Sequence, residues 1–309
     1  MFSYDLTIGL PHTNYNQLAE HLMLMHLGHF QWQSIAASIR TPLSHLRTVD
    51  QGEVYATFYY IEERIPESAS LTEFRLDDTL RVLLQLRAFR NIAFDGRLIF
   101  HHKSFMETAK IEEEESLLEA YAGDVFPAIR FANVFVTPHA GNAALKLAPP
   151  AHVSFDGIPV LSNEDNAYHI TRSAEKTGTF RVFDTRWNCI NPDAPFTSLY
   201  TVHPDRDSNG AGLVYFANYI IFLDMAERAL LLDPIARRWP VACVPTRTLR
   251  FRQLAYFGNA DLGDTLRIEI YLFYHEEDRR RLGFRYTIMR ERDKARICLS
   301  EAIKTILLP

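Results

Sequence analysis

Cysteine is scarce in this 309-residue chain: Cys189, Cys243 and Cys298 are odd in number and far apart. That excludes a disulfide framework and leaves no ligand spacing for a zinc site, so the thiols read as reduced core groups of a cytoplasmic protein. Long apolar runs are also missing. Asp224, Glu227 and Arg228 interrupt the most hydrophobic stretch, which falls short of the ~20 residues a membrane helix needs. No basic excess exists either: 33 Lys and Arg face 38 Asp and Glu, a net charge of −5, which argues against a nucleic-acid partner. Met1-Phe2-Ser3-Tyr4-Asp5 lacks a basic segment followed by an apolar one, so no secretory signal is evident. Among 12 His there is no HExxH and a single adjacent pair, His101-His102, so no metal is expected.

What remains is an ordinary globular composition, 47% hydrophobic and 23% charged, at a length that predicts two domains. The stretch His203–Tyr219 organises the reading. It begins polar and turn-prone, passes through Asn209-Gly210 and Ala211-Gly212, and becomes apolar as far as Leu232. The pattern predicts a buried helix over Leu213–Leu232 that ends before Pro234. A buried helix opening on a Gly-bearing polar loop directs free N–H groups and the positive dipole end at one spot. Such a mouth suits an oxyanion; a capped core helix carries the same features.

Leu18, Leu22, Met25, His26 and His29 recur at helical spacing, predicting a helix over Asn14–Trp32 with Pro11 and Asn14 at its start. Val54–Ile61 is rich in β-branched and aromatic residues and reads as a strand, as does Asp78–Arg87. Asp95-Gly96 between apolar runs predicts a hairpin turn. Glu112–Glu115 reads as a solvated face with no chemistry. Prolines break up residues 124–175, read as a linker or lid between a first half, 1–123, and a second, 176–309. In the second half Phe180–Val182, Ser198–Val202, Thr246–Leu254, Leu262–Tyr271, Gly283–Arg290 and Arg296–Leu307 are predicted strands.

The halves repeat one order. Asp78-Thr79-Leu80-Arg81-Val82 aligns with Asp264-Thr265-Leu266-Arg267-Ile268, each one strand after a long helix, and Leu27-Gly28-His29-Phe30 aligns with Leu223-Asp224-Met225-Ala226. Each half is predicted as α+β, one long helix wrapped by a curved antiparallel sheet.

The run Tyr256-Phe257-Gly258-Asn259-Ala260-Asp261-Leu262-Gly263-Asp264 resembles the Y-x-x-P-A-x-x-G-D turn of hot dog thioesterases, with Asn259 in place of Pro. Two such halves suggest a double hot dog. More narrowly, the chain resembles the LnmK-type bifunctional acyltransferase/decarboxylases of polyketide (leinamycin-like) biosynthesis. Gly9-Leu10-Pro11, Leu18-Ala19-Glu20, Leu27–Trp32, Tyr55–Tyr60, Phe131–Thr137 and Asp207–Tyr219 carry that resemblance, in order and across almost the whole chain.

The resemblance implies that methylmalonyl-CoA is taken, CO₂ is lost and propionyl passes to an acyl carrier protein, with no cofactor. An active-site tyrosine takes the place of the usual Ser or Cys. Tyr55, Tyr59 and Tyr60 share the aromatic strand; strict alternation puts Tyr60 with Phe58 toward the helix and leaves Tyr59 in play. A phenol near pKa 10 needs its anion stabilised before it attacks. Donors are expected at Ser208–Leu213, comprising the N–H groups of Gly210, Ala211 and Gly212 and the Asn209 amide, with Tyr215 and Asn218 further in. Asp205 and Asp207 are the candidate acids, or caps. Arg247, Arg250 and Arg252, read as alternating on one face, are placed against coenzyme A phosphates. The alternatives are an acyl-CoA or acyl-carrier thioesterase using an Asp-activated water, and a non-catalytic carrier-protein-binding module. Homodimerisation stays open.

Overall fold

The structure, a computed structural model, describes all residues except 15–16, 112, 139–144, 164–165, 235–246 and 308–309. It divides into two compact units, Met1–His169 and Ile170–Pro309.

The first unit runs β1 (Phe2–Thr7), β2 (Thr13–Asn14), β3 (Gln17–Leu18), α1 (Glu20–Ser38), β4 (Tyr55–Arg64), β5 (Thr79–Phe89), β6 (Ala93–His102), α2 (Lys103–Ala109), α3 (Glu114–Ala122), β7 (Ala128–Pro138) and β8 (Leu145–Leu147). Its antiparallel sheet has the order β1-β5-β6-β7-β4, with β8 on the end of β7. Met23, Leu24, Leu27, Gln31, Ser34 and Ile35 recur every three or four residues and form the buried side of α1. Trp32 stacks on Phe58 of β4, and Phe30 on Tyr4 of β1, with ring centroids 5.9 and 4.6 Å apart. Each buried Leu or Ile contributes on the order of 1.5–3 kcal/mol, so this helix–sheet interior dominates the unit's stability. The opposite sheet face packs under α2 and α3 through Leu83, Ile99, Met106, Leu117, Tyr121 and Phe126.

Helix α4 (Ala167–Thr177) carries the chain from one unit to the next. The second unit continues with β9 (Trp187–Cys189), β10 (Phe196–Thr201), the single turn α5 (Pro204–Asp207), α6 (Asn218–Leu232), β11 (Arg247–Tyr256), β12 (Thr265–His275), β13 (Arg281–Arg290) and β14 (Ala295–Ile306). Its sheet has the order β11-β14-β13-β12-β10, with β9 on the end of β12. Both halves are thus one long helix against a five-stranded antiparallel sheet of the same wiring, the double hot dog expected from the sequence. Among the described residues no helix is long and apolar enough to cross a membrane.

The aligned segments occupy equivalent places. Thr79 and Thr265 open β5 and β12, opposite Thr7 and Thr201. Asp78 O accepts from Ile8 N, and Asp264 O from Val202 N, both at 2.9 Å. Each Asp also takes an N–H three residues upstream on its carboxylate, from Arg75 at 2.7 Å and Asp261 at 2.8 Å. Before each comes a left-handed residue, Asp77 (φ +68°) and Gly263 (φ +84°), the conformation that the Gly of the G-D pair supplies at low steric cost.

Several local expectations are corrected. Residues 124–175 are not a linker throughout, because Ala128–Pro138 is an interior strand of the first sheet and the units divide at His169/Ile170. Asp95-Gly96 lies inside β6; the turn is at Arg90, which takes φ +51°. Gly96 answers packing instead, since a Cβ there would stand 1.9 Å from Gln31 Oε1. Helix α1 begins at Glu20 because Thr13–Asn14 and Gln17–Leu18 pair with each other first. Phe180–Val182 is not a strand. Its chain is held by the buried Glu301 carboxylate, which accepts from Thr179 Oγ1 (2.7 Å) and Val182 N (2.9 Å). Cys298 is buried, Cys189 half-buried, and Cys243 lies outside the described residues.

Candidate functional site

Between β10 and α6 the chain makes the turn α5 and then a loop closed by a bridge between Ser208 and Val214. That bridge is why α6 starts at Asn218 and not at Leu213. Asp207 is fully buried beneath the loop. Its Oδ2 accepts from Tyr200 Oη and His203 N, each at 2.7 Å, and its Oδ1 from Arg206 Nε at 3.1 Å. Arg206 also donates to the Tyr200 hydroxyl. Burial, and then the bond to Asp207, push the Tyr200 phenol up to about 12. A carboxylate with three protein donors and no exposed surface holds the loop in place.

The expected oxyanion donors are largely spent within the loop. Asn209 Oδ1 accepts the N–H groups of Ala211 and Leu213, both at 3.0 Å. Gly212 N donates to Asn209 O at 2.9 Å, and Asn209 N to Leu213 O at 2.8 Å. Gly212 is needed for its φ of +71°, whereas a Cβ on Gly210 would meet nothing within 4 Å. The loop is an Asn-centred turn whose own carbonyl and amide oxygens take up the donors that chain order alone leaves free.

Asn218 and Tyr215 sit where the helix opens. Asn218 Nδ2 donates to Arg206 O at 3.2 Å, and Tyr215, half-buried, lies against Phe216 with centroids 4.8 Å apart; burial raises its phenol. Next to them Tyr219 Oη donates to Asn259 Oδ1 (3.2 Å) and Tyr256 Oη to Phe216 O (2.7 Å). Asn259, standing for the Pro of the resembled turn, also accepts Ala260 N at 2.9 Å. It therefore ties the turn between β11 and β12 to the start of α6.

In the first half the tyrosines do not alternate as expected. The β4–β7 register slips between Phe58, opposite Asn133, and Tyr60, opposite Ala132, leaving Tyr59 as the extra residue of a β-bulge. Phe58 and Asn133 face α1, through Trp32 and Gln31. Tyr60 therefore faces the opposite side with Ala132, correcting its expected place against the helix. It is fully buried, its hydroxyl donates to Glu62 Oε2 at 2.7 Å, and the Arg130 guanidinium stands 5.9 Å from its ring centroid. Tyr59 directs its hydroxyl at Asn166 Oδ1, 3.4 Å away. Burial, with the Asp95 charge second, raises its phenol far above the ordinary value, so it is a hydrogen-bond donor and not a phenolate. Asp95, missed by sequence reasoning because it was read as a turn, is buried and paired with Arg130 at 2.6 Å; burial raises its carboxyl against the pull of Arg130 and Arg97.

The second half bulges at the same place. Leu249 pairs with Lys304 and Phe251 with Ile303, which makes Arg250 the register counterpart of Tyr59. Arg247, Arg250 and Arg252 consequently do not share a solvent face. Arg252 is fully buried toward α6, donating to Ser300 Oγ at 3.3 Å with its guanidinium 5.9 Å from the Tyr286 ring centroid, which removes it from any phosphate-binding face. Arg247 is buried and donates to Glu227 of α6. Glu227 also accepts from Tyr286 Oη at 2.5 Å and from Lys304 Nζ at 2.9 Å, and Lys304 reaches Asp224 at 2.9 Å. Burial alone would raise the Glu227 carboxyl, but Arg247 and Lys304 outweigh it and hold it below the carboxylate range. Half-buried Arg250 is the one of the three that the bulge turns aside.

Among the described residues no three or more His, Cys, Asp or Glu side chains gather as metal ligands. No protein-family model matches the sequence and no curated protein is similar to it. The fold is similar to that of an acyl-ACP thioesterase from Bacteroides thetaiotaomicron, with a TM-score of 0.58 at 12% identity over 98% of this chain and 97% of that one. It is similar also to a Lactobacillus plantarum protein assigned as an oleoyl thioesterase (TM-score 0.62, 11% identity, 100% and 96% covered). A third likeness is to the 12:0-ACP thioesterase of Umbellularia californica (TM-score 0.59, 8% identity, 98% and 93% covered). Two helix-and-sheet halves of common wiring, matched end to end by these structures, give this chain the double hot dog fold.

Proposed function

We propose that the protein acts on an acyl thioester of coenzyme A or of an acyl carrier protein, and that it hydrolyses it. The reading is carried by the end-to-end likeness of both halves to solved structures named for acyl-carrier and oleoyl thioesters. The state of the tyrosines supports hydrolysis over an acyl-tyrosine route. Tyr59 is held as a protonated phenol, and a phenol kept far above its ordinary pKa is a poor nucleophile at neutral pH. It suits instead the role of a donor to the thioester oxygen, where one fixed donor is worth on the order of 3 kcal/mol in the transition state. Asp207 keeps the α6 mouth in shape, with Asn218 and Tyr215 beside it, and Arg250 is assigned to the anionic end of the substrate.

The same protonated phenol favours a second reading. Decarboxylation of methylmalonyl-CoA asks for donors to an enolate rather than for a base, so decarboxylation with propionyl transfer to a carrier protein is the alternative chemistry. The purified chain is incubated with straight-chain acyl-CoAs, and separately with methylmalonyl-CoA and a carrier protein, and products are identified by mass spectrometry. Free acid with free thiol is expected. CO₂ with propionyl-carrier would replace hydrolysis by the second reading, and unchanged substrate in all cases would leave only a carrier-binding module. Tyr59→Phe is expected to lower kcat by about 10²-fold with KM little changed, the signature of a lost transition-state donor; unaltered kcat sinks that role.

A further inference from the structure

The mouth of the first half is closed by histidines where the second half uses a carboxylate. Gly9 and His203 each stand two residues beyond the last residue of the edge strand, Thr7 and Thr201. His203 N donates to buried Asp207, while Gly9 N donates to His12 Nδ1 at 2.9 Å. An imidazole nitrogen that accepts a backbone N–H carries no proton, so this bond exists only with neutral His12. The His12 ring meets the His26 ring of α1 edge to face, with centroids 4.6 Å apart at 87°. His12 also anchors the start of α1, because Ala19 N donates to His12 O at 2.8 Å.

We propose that the His12–His26 pair is a pH-sensitive latch, holding the turn Gly9–His12 on α1 at neutral pH and releasing it in acid. Protonating His12 places an N–H against the Gly9 N–H, and protonating both rings sets two like charges in contact. The histidine charges acting on His26 both oppose its protonation. On α1, His29 stands one turn beyond His26 and adds to the repulsion, and Glu20 is the acidic residue at the helix's first position. The sheet turns Leu80, Val82, Leu84 and Leu86 of β5 and uncharged Tyr4 of β1 toward the helix. The neighbouring loop, joined through Leu18 N to Leu71 O at 2.8 Å, carries its acids Glu67 and Glu73 exposed to solvent. Burial first, then His12 and His29, lower the His26 pKa from 6.5. The unfolded chain therefore binds more protons than the folded one in this range. The latch is at full strength above about pH 6.5 and weakens as pH falls through that value toward the lower folded pKa.

The test follows amide hydrogen exchange of the full chain at pH 7.5 and 5.5, corrected for intrinsic rates. Protection at Gly9 and Ala19 is expected to fall about tenfold or more in acid, while His203, the counterpart whose N–H is held by the Asp207 carboxylate, keeps its protection. His12→Asn, whose amide oxygen can accept Gly9 N without titrating, and His26→Phe, which keeps the ring contact, are expected to abolish the loss. Equal protection at both pH values in the wild type overturns the latch, as does an unchanged pH response in both variants. Should the variants fold poorly, ¹⁵N shifts of the wild-type rings at pH 7.5 decide: His12 must be the Nε2–H tautomer, and the other tautomer overturns the proposal. None of these readouts depends on hydrolysis, so the latch and the proposed function fail separately.

Discussion

Where the first half pairs Gln31 with Asn133 inside its core, the second pairs Glu227 with Lys304. The positions correspond by register: Asn133 stands between Phe58 and Phe94, and Lys304 between Leu249 and Leu282. Gln31 Nε2 donates to Asn133 Oδ1 at 2.5 Å and to Phe131 O at 3.1 Å, a neutral arrangement for which Gly96 leaves room. The second half fills the same space with an ionic network of Glu227, Lys304, Arg247 and Asp224, and has Phe284 where the first has Gly96. The outer faces differ as well. Helices α2 and α3 cover the first sheet, while Phe183, seated over Gly283 and stacked on Phe273 at 4.4 Å, covers part of the second. Common wiring thus tolerates opposite chemistries at one position, a neutral amide pair in one half and an ionic network in the other.

The comparison breaks most sharply at Glu227. Glu227→Gln leaves Lys304 and Arg247 buried beside a neutral amide and is expected to cost about 3–5 kcal/mol in urea unfolding. Because the Glu227 carboxyl is lowered on folding, its contribution is complete above about pH 4.5 and is lost as pH falls below that. The variant should flatten that acid limb, and an acid limb equal to the wild type's would mean that other carboxylates carry it. Gly96→Ala is expected to cost about 1–3 kcal/mol by driving a methyl into Gln31, and adding Gln31→Ala should recover part of it. No recovery in the double variant would place the clash elsewhere. Tyr200→Phe removes one donor from Asp207 and is expected to cost about 1 kcal/mol by thermal unfolding, since His203 N and Arg206 remain. Smallest is the G-D turn: Gly263→Ala should cost up to about 1 kcal/mol because φ stays positive, while Asp77→Gly should change stability by less than about 0.5 kcal/mol. A larger effect at Asp77 would show that its side chain does more than tolerate the turn.

The repeated order was readable because it rests on local signals. Thr265–Tyr271 alternates outward and inward residue by residue, and Asp78 and Asp264 stand next to the left-handed positions that start their strands. The candidate site was less readable. Tyr60 was expected against α1 on strict alternation, and one extra residue at Tyr59 reversed it. The same slip at Arg250 dissolved the expected arginine face. Asn209, Gly210, Ala211 and Gly212 were correctly seen as a turn at the helix start, yet which N–H groups the turn consumes depends on how it closes on Ser208 and Val214.

By itself the sequence determined two halves, each with a long buried helix and strands of matching order, since periodicity of apolar residues is written between near neighbours. Tertiary structure alone decided which way Tyr59, Tyr60, Arg250 and Arg252 turn, and that Asp95, Asp207 and Glu227 are buried with their partners. Those outcomes depend on strand register and on groups up to 107 residues apart, as with Tyr59 and Asn166, and no local pattern records them.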